Sequence, residues 1–120
     1  YDFDIEAGTI ANKRIFAEIP EGAGAPDGLT VDAEGYLWSA HWDGWCVTRY
    51  DPDGHVDRVI NLPVPRPTSC AFGGPELTTL YVTTARIRLS VHQLAEAPLS
   101  GSVFAIQTGV KGIPEVPFAG

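Results

Sequence analysis

Basic side chains are scarce. Eight Lys and Arg stand against fifteen Asp and Glu in 120 residues, a formal net charge of −7 with His neutral. Nucleic-acid binding draws on clustered Lys and Arg that displace counterions, and no such cluster is present. The same deficit argues against electrostatic docking to an anionic membrane surface. Long apolar runs are missing too: none approaches the ~20 residues that cross a bilayer as a helix. No basic segment followed by an apolar stretch opens the chain, so no secretory signal is read from it. Cysteine is limited to Cys46 and Cys70, with no Cys-x-x-Cys spacing. Two cysteines make no disulfide framework, and each lies in an alternating apolar segment where a free buried thiol is common. The expectation is two buried thiols rather than a bridge or a catalytic thiolate, compatible with a reducing cytoplasm.

What is present is a turn-rich globular pattern. Hydrophobic residues make up 44% and aromatics 10% of the chain, too many for intrinsic disorder. Thirteen glycines and ten prolines fall at intervals between short apolar segments, which points to many turns and a β fold.

The segments repeat in order. From Pro26 come a short strand at Leu29–Asp32, the turn Ala33-Glu34-Gly35, and an apolar strand at Tyr36–Ala40. A corner at His41–Gly44 then leads to an alternating strand at Trp45–Tyr50. The turn Asp51-Pro52-Asp53-Gly54 and a strand at His55–Leu62 close this unit. From Pro67 the order recurs: Ser69–Phe72, the turn Gly73-Gly74-Pro75-Glu76, Thr79–Thr84, Gly101–Gln107, and a terminal segment near Gly109–Pro114. Pro26 to Pro67 gives a period of 41, and Trp38 to Tyr81 gives 43. Residues 1–20 match the tail of the same unit, with Gly8 in the place of Gly54. A four-stranded unit of this period is the mark of a β-propeller blade. A β-sandwich would show similar punctuation, but the matching order of turn motifs favours the propeller. The expected units are 1–20, the end of one blade; 26–63, a blade; and 67–114, a last blade interrupted by 85–100. Two and a half blades do not close a ring, so the chain reads as an arc of a larger propeller.

Within the interruption, Val91, Leu94 and Ala95 have helical spacing, Ser90 suits an N-cap, and Pro98 is a stop. This segment reads as a surface loop insertion or as a lid over the propeller mouth.

Most acidic residues have ordinary explanations. Asp2, Asp4, Asp51 and Asp53 are read as turn residues bonding local amides. Asp32, Glu34, Glu76, Glu96 and Glu115 are read as solvated. Asp27 differs, because Ala25-Pro26-Asp27-Gly28-Leu29 lies just before the first strand of a blade, which in a propeller lines the central channel. Two readings stay open on the residues alone: a turn-forming Pro-Asp-Gly, or a held carboxylate suited to a hard cation. His41, His55 and His92 are too far apart in sequence for a local metal pair, although His41 beside Trp42 could line the channel mouth. Ser39 and Ser69 lie in no Gly-x-Ser-x-Gly elbow, and no Gly-rich phosphate loop precedes a helix.

Several stretches together resemble the SMP-30/gluconolactonase/LRE family of regucalcin-like sugar lactonases. They are Pro26-Asp27-Gly28-Leu29-Thr30-Val31-Asp32-Ala33-Glu34-Gly35, then Leu37-Trp38-Ser39-Ala40, then Val47-Thr48-Arg49-Tyr50-Asp51-Pro52-Asp53-Gly54. Leu62-Pro63-Val64, Pro67-Thr68-Ser69-Cys70-Ala71-Phe72-Gly73-Gly74 and Leu80-Tyr81-Val82-Thr83-Thr84-Ala85-Arg86 follow. Gly101-Ser102-Val103-Phe104-Ala105-Ile106 and Gly109-Val110-Lys111-Gly112 complete the series. The resemblance implies a six-bladed β-propeller of which this chain is the C-terminal arc. It implies one divalent ion in the central channel, held by a Glu, an Asn and an Asp. The Asp of the Pro-Asp-Gly motif falls on Asp27, as metal ligand and as catalytic carboxylate. The Glu and Asn match no position here, so the missing N-terminal blades are needed to complete the site. Oxygen ligands suit Ca²⁺, Mg²⁺ or Mn²⁺, and Zn²⁺ also accepts carboxylates. The implied reaction is hydrolysis of a sugar lactone, a small-molecule substrate, to its aldonic acid in the cytoplasm. A non-enzymatic calcium-binding or scaffold propeller, and a metal-dependent hydrolase of other esters, are the competing readings.

Overall fold

A computed structural model of the chain describes residues 1–119. Its sheets are antiparallel throughout, in three groups. Strands β1 (Asp2–Asp4) and β2 (Thr9–Ala11) form a hairpin. Strands β3 (Ala25–Val31), β4 (Leu37–Trp42), β5 (Cys46–Tyr50) and β6 (Val56–Asn61) form a four-stranded sheet in chain order. Strands β7 (Pro67–Gly73), β8 (Thr79–Thr84) and β9 (Val103–Gln107) form a three-stranded sheet, also in chain order. The one helix among the described residues, α1 (Val91–Glu96), lies between β8 and β9.

The turns that separate strands were legible because their chemistry is local. Asp51 Oδ1 accepts from the amides of Asp53 and His55 at 3.0 and 2.8 Å, and Gly54 takes the positive φ of 87° that the hairpin needs. Helix α1 starts on a capping box: Ser90 Oγ accepts from the Gln93 amide at 3.2 Å, and Gln93 Oε1 accepts from the Ser90 amide at 2.9 Å. Pro98 follows the helix closely, as expected for a stop.

The core sits between the second and third sheets. Trp38, Ala40 and Val47 from one meet Cys70, Leu80 and Val82 from the other, with Leu62, Val64, Ala97 and Val110 sealing the edges. The Trp38 and Phe72 rings meet edge to face at 5.7 Å. Burial of this set, at roughly 1.5–3 kcal/mol per large side chain, is what stacks one sheet on the next. All five residues of β5 are buried, where alternation alone predicts one covered face. Its other face is covered by the connection after β2, where Phe16 packs edge to face on Tyr50 at 6.4 Å.

Three expectations are corrected. Ala25, Pro26, Asp27 and Gly28 belong to β3 itself rather than preceding it, because a bulge between Pro26 and Leu29 lets the pairing with β4 continue past the proline. The segment near Gly109–Pro114 adds no strand to the last sheet; Gly112 bridges Asp32 of the sheet before it. Of four aspartates expected to bond turn amides, Asp4 and Asp51 fill that role; Asp2 instead accepts from Asn12 Nδ2 at 2.8 Å and Arg14 at 2.7 Å across the hairpin, and the exposed Asp53 side chain accepts no amide among the described residues.

Candidate functional site

Asp27 lies on β3, an edge strand of its sheet, inside the bulge. Pro26 is tolerated there because edge strands and bulges do not require its missing amide proton. The Asp27 side chain is exposed, and its carboxylate forms no hydrogen bond or ion pair among the described residues.

Gly28 holds this strand against β7. A Cβ at Gly28 would stand 2.3 Å from Ser69 Oγ and 2.8 Å from Ser69 Cα, so the two backbones meet closer than any side chain permits. Four residues on, Asp32 bridges Gly112, which in turn abuts the Phe72 side chain. Gly28 beside Ser69 and Asp32 near Phe72 mean that β3 and β7 run in the same direction. Their N-terminal ends, with Asp27 on β3, therefore lie at one end of the two sheets.

His41 anchors the approach to β3 from behind. It is buried, with Nδ1 3.2 Å from the Ala23 carbonyl and Nε2 3.3 Å from the Tyr50 hydroxyl. A carbonyl only accepts, so Nδ1 carries the proton and Nε2 receives the Tyr50 hydroxyl proton. Burial lowers the His41 pKa and outweighs the opposing bond to Ala23, keeping the ring neutral. His41, which by sequence could line a channel mouth, is thus a packed strut under the turn that leads to Asp27.

Asp32, expected from its turn to be solvated, is fully buried. Its Oδ2 accepts from Trp38 Nε1 at 2.8 Å and from Arg49 Nε at 2.9 Å, and its Oδ1 accepts from the amides of Glu34 and Tyr36 at 2.9 and 3.0 Å. Burial raises its pKa, but the bonds from Trp38, Arg49, Tyr36 and Glu34 prevail and lower it. Arg49 is completed by Glu34 at 2.6 Å, Asp57 at 2.9 Å and the Tyr36 ring 3.8 Å below it. The signal available in the sequence is Arg49 as the one charge in the strand Cys46–Tyr50, a charge that needs a partner if buried.

Other candidates do not join Asp27. The one group of three or more potential metal ligands among the described residues is Asp51, Asp53 and His55, whose ligand atoms lie within 4.8 Å of one another. Asp51 Oδ1 is already engaged by two amides of its own turn, and the His55 ring is 3.2 Å from Asp51 Oδ2. His92 pairs with Glu96 at 3.6 Å on the exposed helix. Ser39 is buried and bonds within its own strand. A groove of about 620 Å³ runs along Phe16, Ile19, Pro26, Leu29 and Tyr50. No carboxylate or histidine lines it, and its one titratable side chain, Tyr50, already has its hydroxyl on His41 Nε2, so it brings no ligand to a cation.

The comparisons with known proteins agree with this architecture. Residues 1–86 match the model of the SMP-30/gluconolactonase/LRE-like region. The chain belongs to that family. It is 42% identical to regucalcin of Gallus gallus over its whole length, spanning 41% of that relative. It is 45% identical to 6-deoxy-6-sulfogluconolactonase of Pseudomonas putida, with 96% of the chain and 40% of the relative covered. Among solved structures it is similar to a calcium-binding protein, regucalcin, of Agrobacterium tumefaciens. That match has a TM-score of 0.84 and 34% identity over 92% of this chain and 38% of the other. The chain thus spans about two fifths of the length of these relatives. No helix among the described residues is long and apolar enough to cross a membrane.

The donor set can be tested against a divalent ion. An exposed carboxylate with no protein partner fits one position in the oxygen shell of a hard cation. Asp27 belongs to no group of three ligands among the described residues, so it fits as one ligand and not as a complete site.

Proposed function

We propose that this chain is the C-terminal arc of a six-bladed β-propeller that hydrolyses a sugar lactone to its aldonic acid with one divalent ion. The supporting observation is Asp27: an exposed, unpartnered carboxylate on an edge strand, in the family's Pro-Asp-Gly motif, at the end where β3 and β7 come together. In the ring, Asp27 is one metal ligand, and the Glu and Asn ligands come from earlier blades. A bound divalent ion supplies a Lewis acid for the lactone carbonyl and the charge that develops on it. Asp27 orients the attacking water and accepts its proton. Water oxygen bonds to the carbonyl carbon, the ring C–O bond breaks, and the released oxygen takes up a proton. The bulge and the Gly28 contact with Ser69 fix the backbone on either side of Asp27, which supports a positioned carboxylate.

The test uses the full-length protein, stripped by a chelator and reloaded with Ca²⁺, Mg²⁺, Mn²⁺ or Zn²⁺, on glucono- and pentonolactones. Turnover should depend on the added ion and fall at least about a hundredfold in Asp27→Asn, as for loss of a positioned base. Unchanged turnover in that variant removes Asp27 from the mechanism. The 120 residues alone should be inactive, since a single carboxylate holds such an ion weakly.

A second reading, a calcium-binding propeller without turnover, is supported by the likeness to the solved calcium-binding regucalcin. Calcium binding lost in Asp27→Asn, with no lactone hydrolysed by the wild type, would select it.

A further inference from the structure

Three loops gather at the Asp27 end of the sheets. Ala25 pairs with Trp42 and Pro67 pairs with Thr84, so the β4–β5 loop, the β6–β7 connection and the start of the β8–β9 insertion all lie there. Arg66, in the β6–β7 connection, clasps them together. Its Nε donates to Asp43 Oδ1 at 2.6 Å, and another guanidinium nitrogen donates to the Ile87 carbonyl. The guanidinium lies over the Trp42 ring, 4.9 Å from its centre, and the Arg66 carbonyl accepts from the Ala85 amide at 2.9 Å. A planar fork serves a carboxylate, a carbonyl and a ring at once in fixed directions, where an ammonium on a flexible stem is a less pre-organised point charge.

The clasped turn contributes little to the core. Arg86, Ile87 and Arg88 are exposed, Ile87 by 62%, and the turn closes on a 3.3 Å bond from the Leu89 amide to the Arg86 carbonyl. Asp43, Trp45 and Arg88, all in these loops, hold φ near 59° without being glycine. Such backbone persists only where surrounding contacts over-determine it, and it gathers at binding and catalytic sites. A tightly held, solvent-facing turn at the Asp27 end is placed to shape what reaches that carboxylate.

We propose that Arg66 is a positioning residue. It fixes the Arg86–Leu89 turn as one wall of the substrate entrance and so determines which lactones enter. This rests on the lactonase reading above.

Arg66→Lys and Arg66→Ala in the full-length protein test it, with kcat and KM measured for gluconolactone and for unsubstituted butyrolactone. KM for gluconolactone should rise about threefold or more, with kcat within about twofold and KM for butyrolactone unchanged, the pattern of lost substrate binding without lost chemistry. Amide exchange at residues 85–90 should accelerate while that of β8 does not. Should Arg66→Ala fail to fold, Arg66→Lys carries the measurement. Turnover with an unchanged KM ratio in the folded variants overturns the entrance role alone. Absence of lactone turnover in the wild type overturns the lactonase reading and the entrance role with it.

Discussion

Asp32 and Arg49, seventeen residues apart in sequence, meet inside the second sheet with Arg49 Nε 2.9 Å from Asp32 Oδ2. The carboxylate is fully buried and the guanidinium 4% exposed, so the pair is shielded from water and salt. It joins the β3–β4 turn to β5, and the Trp38 indole bonded to the same oxygen ties it to the core.

Neutralising Asp32 takes from the buried Arg49 its one fully buried counterion and leaves only Glu34 and Asp57, both more exposed, to balance it. Asp32→Asn should therefore cost about 3–5 kcal/mol. Glu34→Gln, whose carboxylate is 61% exposed, should cost about 1 kcal/mol or less. Urea denaturation of the full-length variants reads both. An Asp32→Asn midpoint close to that of Glu34→Gln would show that the network is not stabilised by its buried charge pair.

The contact between Gly28 and Ser69 gives a second expectation. Gly28→Ala drives a Cβ into the Ser69 side chain and should cost about 1–3 kcal/mol as overpacking. It should also lower lactone turnover, because the displaced strand carries Asp27. Ser69→Gly removes the nearest clashing atoms and should restore part of both losses. A double-mutant cycle measures that coupling. Additive losses would mean that the strands part without disturbing one another.

Local turn chemistry and spacing made much of this fold legible. The Asp51 turn, the Ser90 cap and the strand Thr79–Thr84 follow from rules that act over a few residues. Pro26 marks a strand boundary by local rules, whereas a bulge and an edge position accommodate it within β3. The burial of Asp32 is not legible locally, because its partners Trp38 and Arg49 are brought to it by sheet register, which no local pattern displays. Asp27 is conspicuous in sequence through the Pro-Asp-Gly motif. The Arg66 clasp was not, because it joins residues 23 and 21 positions away through tertiary structure alone.

The two cysteines are free and buried, as their apolar surroundings indicated. Burial pushes the Cys70 thiol up to about 12, where almost none is thiolate at neutral pH. In the native full-length protein neither Cys46 nor Cys70 should react with iodoacetamide at pH 8 over a time in which both react in urea. Peptide mapping assigns the labels. Rapid native alkylation of Cys70 would show that the core between the second and third sheets opens readily.

His41 makes stability depend on pH. Burial lowers its folded pKa below the ordinary value of 6.5, so between those two values the unfolded chain binds more protons than the folded one. The stability that neutral His41 contributes is complete above about pH 6.5 and is lost as pH falls toward the folded pKa. The slope from one such group is at most about 1.4 kcal/mol per pH unit. His41→Gln in the full-length protein removes the titrating ring. The difference in unfolding free energy between wild type and variant should therefore shrink as pH is lowered from 7 toward 5. His55 and His92 are present in both proteins, so they cancel in that difference. A difference that stays constant across the range would mean that His41 keeps its proton affinity on folding, and that the ring is not held neutral beneath the Ala23 carbonyl.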